Sequence, residues 1–200
     1  MNKIITIGRE FGSGGRELGK WIAEELNIPY YDKEIIAEVA KKTDLALNYV
    51  NQVLEKKPIV YYPITVAGSF RADYVNPTNN NIQIFAEQCN VLKELASKSS
   101  CVIVGRCADY ILKDMNPYRI FVYSDMESKI KRCKEKNEID KELSDKEIKK
   151  MIKKIDKDRS KYYSFYTSLE WGNKLNYDLC INTSGKEIKD VVNEIIAILK

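Results

Sequence analysis

Ile4-Ile5-Thr6-Ile7 runs directly into Gly8-Arg9-Glu10-Phe11-Gly12-Ser13-Gly14-Gly15-Arg16, and Leu18, Trp21, Ile22 and Leu26 follow at helical spacing. The first run predicts a buried strand. The second predicts an amphipathic helix ended by Asn27 and Pro29, with Trp21 at core spacing. The small residues between them let the backbone approach a ligand and aim successive N–H groups inward. At the positive end of a helix dipole this makes an anion cradle, with Arg16 on the first turn; a flexible glycine turn with a solvated arginine is the plainer alternative. Against the pattern G-x-x-x-x-G-K-[S/T], Glu10 replaces the first glycine, Arg16 the lysine, and Glu17 the hydroxyl residue that helps hold Mg²⁺. An arginine still grips phosphate, through a bidentate fork.

Working outward, Pro29 to Asp32 predicts a short second strand and Lys33 to Lys42 a helix through Ile35, Ile36, Val39 and Ala40. Residues 58–80 read as a long irregular excursion, rich in proline and asparagine. A helix over Ile82 to Ser97 leads to Cys101-Val102-Ile103-Val104, a buried central strand with Arg106 at its C-terminal end. Ligands bind at such strand ends in open α/β sheets, and a buried arginine without an anion is costly. Tyr110 to Leu112 continues as helix, Arg119 to Tyr123 as strand and Tyr177 to Ile181 as the last strand. Ser144 to Glu147 and Ser184 to Glu187 each read as a capping box opening a helix. The alternation predicts an α/β fold: a five-stranded, mainly parallel sheet with helices on both faces.

A chain of 200 residues, 44% hydrophobic and 31% charged, supports one domain over 1–200. No stretch approaches the roughly 18 apolar residues of a membrane span, and Met1-Asn2-Lys3 before the first strand reads as a mature cytoplasmic start. Histidine is absent altogether. This excludes Ser-His-Asp and Cys-His catalysis, HExxH metallopeptidases and Cys2His2 zinc sites. Cys89, Cys101, Cys107, Cys133 and Cys180 form no C-x-x-C pair and read as small buried hydrophobes in a reducing compartment. Between Lys129 and Lys161, fourteen Lys/Arg stand against eight Asp/Glu. That segment suits a solvated helical face, a lid over a polyphosphate or a nucleic-acid patch. Without a regular interleave of aromatic and basic residues, nucleic acid is the least expected partner.

Four blocks carry a resemblance: Gly12 to Gly19, Tyr31 to Ile35, Cys101 to Leu112, and Asp156 to Arg159 with Tyr162, Tyr163 and Trp171. In that order, over nearly the whole chain, they resemble the cytidylate kinase-like family of P-loop proteins. The resemblance implies an NMP-kinase-like core over about 1–31, 99–126 and 144–200. An acceptor-binding insertion over about 32–98 and a short basic lid over about 127–143 are implied with it.

It further implies that Gly12, Ser13, Gly14, Gly15 and Arg16 hold the ATP phosphates and that Asp32 and Lys33 receive the acceptor. Asp32 is equally suited to cap the following helix. Gly105-Arg106 matches a pair whose arginine meets the acceptor phosphate, and Asp109 is a weaker acceptor candidate that suits orienting Arg106. Arg132, beside Lys131, matches a lid arginine that closes over the transferring phosphoryl; a solvated helix face is the alternative for both. Asp158 and Arg159 resemble an element that reads the acceptor base and its phosphate, or else form a surface pair. Tyr162, Tyr163 and Tyr166 suit base stacking or core packing.

The expected reaction is transfer of the ATP γ-phosphoryl to a pyrimidine nucleoside monophosphate such as CMP or dCMP, with Mg²⁺ as cofactor. The metal ligands stay open, with Ser13 or an acidic neighbour in the outer shell. The altered loop also fits a nucleotide-binding regulator with little turnover, and a kinase for another small phosphate acceptor is the remaining alternative. Small-molecule nucleotides are the expected partners and a monomer the expected state.

Overall fold

The computed structural model describes residues 2–55, 77–136 and 143–199. Strands β1 (Ile4–Arg9), β2 (Tyr30–Tyr31), β3 (Cys101–Val104), β4 (Tyr118–Tyr123) and β5 (Leu179–Asn182) form one sheet in the order β2-β3-β1-β4-β5. Every pairing is parallel, with Ile4 beside Cys101 and Ile5 beside Tyr118. Parallel neighbours need crossovers, and helices supply them. They are α1 (Gly15–Leu26), α2 (Lys33–Thr43), α3 (Leu47–Glu55), α4 (Pro77–Lys98), α5 (Ala108–Ile111), α6 (Met126–Glu135), α7 (Asp145–Thr167) and α8 (Ile188–Leu199).

Alternation along the strands feeds two cores. Ile5, Ile7, Val102, Val104, Ile120 and Val122 face α1 and α8. Ile4, Cys101 and Ile103 face the opposite layer, which holds Ile35, Val39, Leu92 and Tyr163. Burial on both faces is why Cys101 to Val104 reads as an unbroken apolar run. A small third cluster, Cys133 with Ile148 and Ile152, joins α6 to α7 and takes Phe11 against it.

Two local expectations are corrected. Residues 77–80 belong to the first turn of α4, so that end of the expected excursion is helical; residues 58–76 lie outside the described residues. The box at Ser144 forms as expected. The one at Ser184 does not form as expected, because α8 starts at Ile188 and the Ser184 hydroxyl serves other partners. It donates to Asn182 Oδ1 at 2.7 Å and accepts from the Asp125 amide at 2.7 Å. Among the described residues no helix is long and apolar enough to cross a membrane.

Candidate functional site

The turn from β1 to α1 leaves backbone donors exposed to a ligand. Gly14 occupies the N-cap position at φ 80°, a left-handed conformation, and no side chain caps the helix. The amides of the first turn have no intrahelical acceptor by construction. A Cβ at Gly14 would run into Ile188 of α8, so the loop sits tightly on the last helix. Its back is pinned as well. Ser13 donates its hydroxyl to the Glu10 carbonyl at 2.8 Å, and the Ser13 carbonyl accepts from Thr183 Oγ1 at 2.7 Å. The Ser13 side chain is fully buried and turned into the loop.

In front of the turn opens a cavity of about 460 Å³. Seven Lys/Arg and four Asp/Glu line it. Arg16 is half-exposed there, with Nε 2.6 Å from Asp32 Oδ2. Asp32 is buried and makes no cap bond to α2, which decides against the capping alternative. Glu34 reaches back instead, accepting from the Asp32 amide at 3.0 Å. Lys33 is exposed on the rim. Trp21 packs against the α1/α8 core as expected, and its half-buried ring also walls the cavity, with the Lys189 ammonium 5.5 Å from the ring centre.

A second, smaller cavity of about 40 Å³ lies at the ends of β1 and β3. Arg106 and Cys107 follow Gly105 with φ of 59° and 53°. Two non-glycine residues in this sparsely populated region cost of order 1–3 kcal/mol each, and they turn the Arg106 side chain inward. Arg106 is 7% exposed; its guanidinium donates to the Leu54 carbonyl at 3.0 Å, and its own carbonyl accepts from Gln88 at 3.0 Å. Asp109 accepts from the Tyr163 hydroxyl at 2.6 Å, so it orients a tyrosine where Arg106 had been expected. Burial pushes the Asp109 carboxyl above its ordinary range. Tyr162, Tyr163 and Trp171 wall this cavity, while Tyr166 stacks on Phe85 with centroids 3.8 Å apart.

A buried ionic cluster behind the loop went unread in the sequence. Lys129 of α6, 4% exposed, places Nζ 2.7 Å from Glu10 and 3.2 Å from Asp156 of α7. Asp156 Oδ1 accepts from the Phe11 amide at 2.7 Å, and Glu10 accepts from the Ser124 amide at 3.1 Å. Burial raises the Asp156 carboxyl, with the Phe11 amide and Lys129 opposing that shift. Arg9 was missed too: it lines both cavities, as does Arg159. The signal was a cation ending an otherwise apolar strand.

The sequence profile of the cytidylate kinase-like family matches residues 4–185. The chain belongs to that family. A cytidylate kinase from Clostridioides difficile strain 630 is 24% identical, with 98% of this chain and 97% of that enzyme covered. The crystal structure of an uncharacterized protein from Eubacterium ventriosum is 34% identical, with a TM-score of 0.70 and 98% of each chain covered. A shikimate kinase from Bacteroides thetaiotaomicron shares the fold alone, at 16% identity and a TM-score of 0.58 over 100% of this chain and 99% of that one. Family and fold are those of a nucleotide kinase.

Within the family's architecture, the remaining expected residues lie as follows. Arg132 begins on the expected lid segment but points at its base. It donates to the carbonyls of Gly12 at 3.5 Å and Lys186 at 3.0 Å, to the Thr183 carbonyl, and to the hydroxyls of Ser124 and Thr183, each at 3.3 Å. Burial pulls its guanidinium below its ordinary value. Lys131 is exposed beside Glu135. Asp158 is half-buried and is not in the described lining of either cavity; Asp156, one helical step nearer the loop, is the acid that reaches it. Glu17, at the hydroxyl position of the P-loop, pairs with Lys136 just beyond α6.

Proposed function

We propose that the protein transfers the γ-phosphoryl of ATP to a pyrimidine nucleoside monophosphate, CMP or dCMP, giving the diphosphate and ADP. The observation that carries this reading is a pair of adjoining cavities at the carboxyl ends of the strands, sharing Arg9 and Arg159 as a common wall. The turn suits a polyphosphate because it opens α1 at the positive end of the helix dipole with no side chain capping it. In this reading the amides of Gly12 to Arg16 and the Arg16 guanidinium hold the ATP phosphates. Arg106, Asp32, Lys33 and Arg159 receive the acceptor. Asp109 acts through Tyr163, Arg132 steadies the loop behind the phosphates, and Asp158 lies toward the acceptor's outer side.

Such a transfer asks the protein for in-line positioning, cations and exclusion of water more than for covalent work. Mg²⁺, when bound, neutralises charge on the polyphosphate. Among the described residues no three metal-binding side chains gather, and Ser13 is turned away. In this reading the ion would be held mostly by phosphates and water. In this reading the insertion over about 32–98 places α2 to α4 beside the acceptor, and α6, the described part of the segment over about 127–143, forms the base of the lid. All five cysteines are free thiols, which suits the reducing cytoplasm of this reading.

A second reading, a nucleotide-binding regulator, is favoured by one feature: Glu17 is committed to Lys136 and offers the metal no hydroxyl. A coupled assay with ATP, Mg²⁺ and CMP, dCMP, UMP or AMP separates the two. A kinase releases ADP with CMP or dCMP ahead of AMP. A regulator binds ATP and releases no more ADP than buffer. Activity only with an acceptor that is no nucleoside monophosphate would replace both.

A further inference from the structure

Arg9 ends β1 at 8% exposure and reaches across the sheet. Its stem lies against Gly15, where a Cβ would meet Arg9 Cβ at 2.5 Å. Its guanidinium fills the space a side chain on Gly105 would need, so only glycine at that strand end admits it. Beyond Gly105, its terminal nitrogen stands 3.7 Å from Asp32 Oδ1, an oxygen that accepts no hydrogen bond. One side chain thus runs from the cradle, past the loop that carries Arg106, to the acid that holds Arg16. Arg16 lines only the larger cavity and Arg106 only the smaller; Arg9 faces both. Its position is fixed from outside, since Arg159 donates to the Arg9 carbonyl at 3.4 Å.

We propose that Arg9 is a catalytic residue that bridges donor and acceptor and meets the phosphoryl group in transit. The proposal rests on the reading of function given above. In the step it serves, an oxygen of the acceptor phosphate forms a bond to the γ-phosphorus. The bond from that phosphorus to the β,γ-bridging oxygen breaks, and its electron pair leaves on ADP. Nothing is oxidised or reduced. Charge spreads over the equatorial oxygens midway, where a fixed cation between the cavities stabilises it most.

The test compares linked and separate ligands by titration calorimetry. The linked probe is adenosine and cytidine joined 5′ to 5′ by a pentaphosphate, and the separate ligands are a non-hydrolysable ATP analogue and CMP. For Arg9→Gln, affinity for the linked probe is expected to fall on the order of tenfold to a hundredfold. Each separate ligand should change by no more than about threefold, and kcat should fall with little change in KM. Arg9→Lys keeps the buried charge and carries the same comparison if Arg9→Gln does not fold, with a smaller loss of the same selectivity. Parent-like binding of the linked probe, or an equal loss on the ATP analogue alone, would overturn the proposal. If the parent protein binds neither ATP analogue nor CMP, the proposed function fails instead.

Discussion

Arg16 Nε lies 2.6 Å from Asp32 Oδ2, so the arginine standing at the P-loop lysine position is docked on a buried acid at the end of β2. A phosphate entering the cradle competes with that acid for the same guanidinium. Asp32→Asn should therefore tighten binding of a non-hydrolysable ATP analogue by about fivefold, or roughly 1 kcal/mol, a modest gain because Arg16 is half-exposed. Unchanged or weaker binding would mean that Asp32 does not restrain Arg16.

Glu17 has a partner of its own in Lys136. Replacing it should cost no more than about 1 kcal/mol in urea unfolding, since both side chains are substantially exposed. The double change Arg16→Lys with Glu17→Thr restores the common pattern. Less than about tenfold gain in transfer is expected, because Glu17 ties α1 to the α6 end and is no mere vacancy. A larger gain would mark the loop as a degraded P-loop.

Lys129 is the cation of a buried cluster with Glu10 and Asp156. Lys129→Met leaves two acids without it, and stability should fall by about 3 kcal/mol, the lower end for a broken buried pair since both acids keep some exposure. Adding Asp156→Asn should recover part of the loss. Chemical denaturation of the three proteins measures this, and a loss under about 1 kcal/mol would show the cluster to be well solvated.

Asp109 gives a pH signature. Its carboxyl is raised by burial above the ordinary 3.8, so the folded chain holds that proton at pH values where the unfolded chain has released it. Stability attributable to this site is greatest below pH 3.8 and declines as pH rises through the folded value. Asp109→Asn removes the decline. The stability of the variant relative to the parent should therefore rise with pH across the mildly acidic range, and a flat difference would contradict the shift.

The sheet was readable because strand and helix periods are local: Ile4 to Ile7 and Cys101 to Val104 alternate between two buried faces whatever their neighbours. The turn from β1 to α1 was readable for the same reason, since Gly12 to Gly15 is one contiguous stretch. Arg9 was not, because its burial depends on Gly105 leaving room, a fact that belongs to another loop. Asp156 was passed over for Asp158 because only the phase of α7 decides which acid meets Phe11. Ser184 was misread since the capping pattern lost to Asn182, two residues back at the end of β5, and to the Asp125 amide beyond β4. Asp32 could be a cap or a ligand on sequence alone, and the deciding contact comes from Arg16 on a different helix.

The chain contains two tryptophans, and they sit one on each cavity. Trp21 lies on the larger cavity under Lys189, and Trp171 lies on the smaller, edge-on to Phe121 at 5.4 Å. The protein thus carries its own pair of optical gauges. In Trp171→Phe the remaining emission should respond to the ATP analogue, and in Trp21→Phe to the acceptor, so the order in which the two ligands arrive becomes visible without any attached dye.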